Sequence, residues 1–239
     1  MRWHNIMIYR LKSVPDISSS PSASIIIAQY LKEAIVSGML VDHQPIRQDK
    51  IAALFNVSKI PVREALKTLE AEGFVKFNRN RGAIVAGITE HELLQFFEIR
   101  AVLESTITRI AVPKMDSENF AQLMNACEAF RQEEDPTRWA ELNWALHASI
   151  YIAAERPHML KLIRSVYDKV ERYMRVQLAV PDGMAQADRE HREIYSACKD
   201  GDADEAARLI HDHVVGVCTD LQRKLTAGKA FSASADSEF

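Results

Sequence analysis

Two sets of residues have types and spacings that could do chemistry. The first is Lys59, Arg63 and Lys67 in the stretch VSKIPVREALKTLEAEGF, residues 57–74. A four-residue spacing puts three cations on one face of a helix. Ile60, Val62, Leu66 and Leu69 are there to anchor it. A helix held by its apolar side and basic outside suits the groove of double-stranded DNA, although a solvated charged face has the same pattern. The second set is Asn143, His147, His191 and His213. Asn143 and His147 are four residues apart in ELNWALHASIY and share a helix face. His191 lies in DREHREIYSA and His213 in ARLIHDHVVG, each on its own helix. Imidazoles converging from three helices inside a bundle can bind a divalent metal; hydrogen-bonded polar residues of a metal-free pocket are the alternative.

The elements that must position these groups are mostly helical. The 239 residues are 47% hydrophobic and 26% charged, with only eight Gly and eight Pro, which predicts long helices and argues against a strand-rich fold. Charge is divided unevenly. Residues 1–88 hold 12 Lys+Arg against 7 Asp+Glu, while residues 89–239 hold 18 against 26. A basic module joined to an acidic one implies that only the first meets a polyanion. The three cysteines, Cys127, Cys198 and Cys218, are far apart and odd in number, as expected of reduced thiols in a cytoplasmic protein. There is no apolar run long enough for a membrane span, and MRWHNIMIYRLK is too polar for a secretory signal.

Residues 1–21, ending in Ser- and Pro-rich sequence, read as a flexible leader. Residues 22–88 read in the order helix, helix, turn, helix, hairpin. Ser58 is a candidate N-cap, Pro61 falls in the first turn of its helix, and Gly73 ends that helix. FVKFNRNRGAIVAG alternates like a hairpin with its turn at NRNRG. The middle helices make a helix-turn-helix and the hairpin a wing. Helices are predicted at about 90–112, 117–132, 137–154, 157–179, 184–200 and 203–226. Leu93, Phe96, Phe97, Leu103 and Ile107 read as bundle core. The domain over 89–227 is therefore all-helical, and 228–239 reads as a disordered tail. No internal repeat, phosphate loop or nucleophile elbow appears.

The block Ile51 to Leu66, with Pro61-Val-Arg-Glu-Ala-Leu at its centre, continuing from Leu69 to Val75, resembles the winged helix-turn-helix of GntR-family bacterial regulators. The helical remainder resembles the FCD effector-binding domain of the FadR subfamily. The two matches cover roughly residues 24–226. The resemblance implies a mainly α fold: an N-terminal winged helix-turn-helix followed by an FCD-type all-α bundle. It implies that Lys59 and Arg63 reach base edges or phosphates in the major groove, where an arginine fork can bond guanine O6 and N7 together. Lys67 meets phosphate. Arg79 and Arg81 lie at the wing tip, with Gly82 permitting the turn. Many relatives have arginine where this chain has Asp49; that contact is either lost or supplied by Arg47 or Lys50.

The resemblance also implies a divalent metal, zinc or a nickel- or manganese-like ion, held by Asn143, His147, His191 and His213. Here Leu146 stands where the family motif has Phe, and neutral Asn143 offers a carbonyl where Asp would offer an anion. The expected function is a homodimer that binds a palindromic operator, with a small organic acid, metal-assisted, modulating DNA binding. Arg100 could pair with the effector carboxylate or, equally, with Glu104 four residues on. Arg175 and Tyr173 are further effector candidates, Tyr173 reading equally as core. His211 reads as a surface residue beside Asp212. A metal-dependent hydrolase and a metal-ion sensor are the competing functions; against the hydrolase, no general base is evident beside the histidines.

Overall fold

The computed structural model describes residues 23–78, 82–178 and 182–235. The chain separates into two compact units, Met1–Ile88 and Thr89–Phe239.

In the first unit α1 (Ala23–Val36) buries Ile27, Leu31, Ala34 and Ile35 and stops before Gly38. Strand β1 (Pro45–Ile46) leads into α2 (Gln48–Leu54), capped by the backbone of Arg47. Asn56 takes the left-handed conformation, φ 52°, which turns the chain into α3 (Lys59–Ala71). Ser58 occupies the N-cap position, but its hydroxyl makes no capping bond. Val62, Ala65, Leu66 and Leu69 form the buried stripe of α3. Ile60 does not: it is 74% exposed, so the expectation that it anchors the helix is corrected. Strands β2 (Val75–Asn78) and β3 (Gly82–Val85) form the wing hairpin, pairing Val75 with Val85 and Asn78 with Gly82. Strand β1 pairs antiparallel with the other edge of β3, giving the order β1-β3-β2. That third strand, two residues long, is an addition to the expected hairpin. Arg79 and Arg81 lie outside the described residues, as does the leader.

The second unit holds α4 (Glu90–Ala111), α5 (Ser117–Gln132), α6 (Pro136–Tyr151), α7 (Pro157–Leu178), α8 (Gly183–Lys199) and α9 (Ala203–Ala235). A reciprocal capping box starts α4: Glu92 N–H donates to Thr89 Oγ1 at 3.2 Å, and Thr89 N–H donates to Glu92 Oε2 at 2.8 Å. Asp116 and Asn119 cap α5 in the same way, and Asp135 with Pro136 starts α6. Helix α4 packs against α6, α7 and α9, and α8 against α5 and α9. Leu93, Phe97 and Ile107 are in the core, whereas Phe96 and Leu103 are only half-buried. Helix α9 runs on to Ala235, well past the predicted end at 226, so most of the segment expected as disordered tail is helical. Cys127, Cys198 and Cys218 are free thiols. No helix among the described residues is long and apolar enough to cross a membrane.

Candidate functional site

The basic helix comes first. Because its apolar stripe is turned inward, α3 presents Lys59, Ile60, Arg63, Glu64 and Lys67 outward. Lys59 pairs with Asp49 of α2, and Lys67 with Glu64 at 3.0 Å. Arg63 is exposed and has no ion pair among the described residues. Asp49 therefore does more than replace a cation: it partly neutralises one on the facing helix. Arg47, the N-cap of α2, is exposed, and Lys50 on α2 is half-exposed. Gly82 begins β3 at φ +70°, a conformation in which an L side chain is strained, although a Cβ there would meet nothing within 4 Å.

The second site lies inside the bundle. His147 on α6, His191 on α8 and His213 on α9 converge, and one ligand atom from each lies within 4.8 Å of the others. All three are buried. His147 Nε2 is 3.3 Å from His191 Nε2. Two nitrogens on one tetrahedral zinc, each at about 2.0–2.1 Å, lie about 3.3 Å apart.

The outer nitrogens are held by carboxylates. His147 Nδ1 lies 3.0 Å from Tyr151 Oη and 3.3 Å from Glu104 Oε2, and the tyrosine hydroxyl itself donates to Glu104 at 2.7 Å. His213 Nδ1 meets Glu190 Oε2 at 2.5 Å. Both carboxylates favour the tautomer with its proton on Nδ1, which turns the Nε2 lone pairs of His147 and His213 inward. His213 Nε2, His191 Nδ1 and Asn143 Oδ1 are buried without a hydrogen-bond partner. Asn143 is oriented by its other end: Nδ2 donates to Tyr167 Oη at 3.4 Å, and that hydroxyl donates to the Ala140 carbonyl at 2.8 Å. Burial lowers the pKa of His147 and His191, more strongly for His191, where the other two histidines add to the effect. Neutral imidazoles with inward lone pairs, carboxylates behind them and orphaned polar atoms fit a divalent metal.

Arg100 lies in this cluster, 1% exposed, with Nε donating to Glu104 Oε1 at 2.6 Å. Its guanidinium also lies over Phe97 and Tyr167, 5.1 and 5.0 Å from the ring centroids. Burial alone would raise the Glu104 pKa, but the Arg100 charge and the His147 contact hold it well below the usual carboxylate range. Of the two readings for Arg100, the geometry is that of the Glu104 pair. Arg175 joins Glu171 at 2.9 Å and the Thr137 carbonyl, while half-buried Tyr173 stacks beneath Arg172. Neither lines the narrow cleft that reaches the centre. The polar lining of that cleft is Asn143, Gln177, Gln186, Glu190, His213 and Asp220, with no Lys or Arg among the described residues. His211 is exposed beside Asp212, as expected.

Tyr151, Tyr167 and Glu190 were missed from sequence. Tyr151 had a signal, standing four residues after His147. Glu190 had none, since its partner His213 is 23 residues away on another helix.

A winged helix-turn-helix with a basic outer face, followed by a helical bundle, defines a class: transcriptional regulators with a DNA-binding head and a separate helical domain. The gntR family of bacterial regulatory proteins matches residues 26–85, and the FCD domain matches residues 92–216. The chain belongs to the GntR family and carries an FCD domain. YdhC of Bacillus subtilis, an HTH-type transcriptional regulator, is 26% identical over 204 residues, 83% of this chain and 91% of its own. The gluconate operon transcriptional repressor of Bacillus subtilis is 26% identical over 166 residues, 68% of each chain. The solved structure of E. coli McbR/YncC shares the fold, with TM-score 0.73 at 17% identity over 85% of this chain and 99% of that one. These families and relatives are regulators, not enzymes, and the hydrolase reading is set aside.

Proposed function

We propose that this chain is a cytoplasmic homodimeric regulator that binds a palindromic operator and responds to a small organic acid through a divalent metal held by Asn143, His147, His191 and His213. The observation that carries the reading is the pairing of two inward Nε2 lone pairs with carboxylates on the opposite nitrogens, next to a cleft without a cationic side chain. Glu190 and Asp220 line that cleft and disfavour an organic anion by themselves. Bound at the histidines, a divalent ion supplies the positive charge that such a ligand needs. Arg100, committed to Glu104, then braces the centre instead of taking the effector carboxylate. One relative is named for the operon of gluconate, an organic acid, which agrees with this ligand class. In the head, Arg63 reads a base edge while Lys59 and Lys67 exchange their carboxylate partners for DNA. Arg47, Lys50, Arg79 and Arg81 serve the phosphate backbone. The effector acts by preferring one of two conformations of the dimer.

The test is a thermal-melt screen against small organic acids, with and without a chelator, followed by gel shifts with operator DNA. An acid that stabilises the protein and changes operator affinity only without chelator supports the proposal. An acid equally effective with chelator removes the metal from the mechanism. Loss of operator binding on chelation alone, with no acid present, makes the ion itself the signal.

A further inference from the structure

Ile60 is the one large hydrophobic residue that the basic helix leaves exposed, and no packing inside its own unit accounts for it. It is 74% exposed, whereas Val62, Ala65, Leu66 and Leu69 of the same helix are at most 1% exposed. It stands three residues before Arg63 and seven before Lys67, which places it on their face. It is also the second residue of α3, in the N-terminal turn, the part of a recognition helix that comes nearest base edges in the major groove. Isoleucine makes no hydrogen bond and carries no charge, so it contributes nothing to phosphate binding. What the major groove offers an aliphatic side chain is the C5-methyl group of thymine.

We infer that Ile60 is a specificity-determining residue that packs on a thymine methyl group in each operator half-site. The charge around it selects this occupant over a protein surface: the exposed face carries Lys59, Arg63 and Lys67, and Arg63 has no ion pair among the described residues. The division of labour on α3 is then explicit. Arg63 reads by hydrogen bonding, Ile60 reads by apolar contact, and the two lysines position. This rests on the DNA-binding part of the proposed function.

The experiment exploits deoxyuridine, which lacks only the methyl group of thymidine. An operator is first selected from random duplexes with the full-length chain at fixed salt. Each thymine is then replaced by deoxyuridine, symmetrically in both half-sites, and affinity is measured for wild type and for Ile60→Ala. Loss of one buried methyl group corresponds to about fourfold in affinity per half-site. The expected result is one thymine per half-site whose replacement weakens wild type by about fifteenfold over both half-sites and leaves Ile60→Ala unaffected. If every replacement weakens both proteins by the same factor, the inference is overturned while the DNA-binding reading stands. If Ile60→Ala changes the oligomeric state without changing methyl sensitivity, Ile60 is a protein contact and the inference is again overturned. If selection enriches no sequence, the DNA-binding reading fails, and this inference fails with it.

Discussion

Replacing Glu190 by glutamine tests the metal centre with the least disturbance to its shape. Glutamine keeps the length of the side chain and can still accept from His213 Nδ1, but it removes the charge from a 2.5 Å contact. Burial raises the Glu190 pKa, yet hydrogen bonds from His213 and Gln186 and the nearby Arg189 help to bring the carboxyl below its ordinary value. It is therefore an anion at neutral pH and makes Nε2 of His213 a better donor to a metal. Removing such an outer partner costs about 10–100-fold in metal affinity. Glu190 is 31% exposed, and solvent screening places the expected loss in the lower half of that range, about 10–30-fold. A tenfold loss in excess metal is about 1.4 kcal/mol less stabilisation by the ion. For a domain of this size that lowers the metal-dependent rise in melting temperature by about 3–6 °C. The assay is competition against a colorimetric chelator, paired with melts of the metal-free and metal-loaded protein. Affinity and metal-dependent melting shift both equal to wild type would refute the assignment of His213 Nε2 as a ligand.

Four further outcomes follow from the same contacts. Arg63→Ala should abolish specific operator binding, at about 1–3 kcal/mol per half-site, with an unchanged melting temperature; a wild-type gel shift at physiological salt removes Arg63 from the interface. Asp49→Ala should tighten DNA binding by releasing Lys59, and it should steepen the log–log salt dependence by about 0.9 per head; an unchanged slope means that Lys59 meets no phosphate. Arg100→Ala leaves Glu104 buried and unpaired, which should cost about 3–5 kcal/mol in urea unfolding; unchanged stability with weakened acid binding would restore the effector role. Tyr167→Phe frees the amide of Asn143 and should lower metal affinity in the chelator competition, and equal affinity would show that Asn143 is not a ligand.

What could be read from the sequence was local, and what could not was long-range. The helices of the second unit start close to where apolar spacing put them, while the one N-cap read from sequence, Ser58, makes no capping bond. The histidine set came from family likeness; the residues that make it a centre did not. Glu190 reaches His213 across two helices, and Tyr167 reaches Asn143 from a third. No periodicity records such contacts. The i, i+4 relation of Arg100 and Glu104 was visible, but their burial, which turns a surface pair into a structural one, was not. Ile60 was a misreading of phase. Val62, Ala65, Leu66 and Leu69 already complete an i, i+3, i+4, i+7 stripe, and a residue two positions before Val62 falls on the opposite side of the helix. Strand β1, two residues long, is too short for alternation to register.

Glu104 joins helix α4 to the histidine cluster. Its carboxylate takes Arg100 from its own helix and Tyr151 and His147 from α6, so α4 is tied to the centre at that residue. Helix α4 starts at Glu90, capped by Thr89, and Ile88 is the last residue of the DNA-binding unit. Fourteen residues of helix separate Glu90 from Glu104, about 21 Å of stiff rod with no interposed loop. Arg100 matters here because it keeps the Glu104 carboxylate paired, so that no bare charge is left in the core.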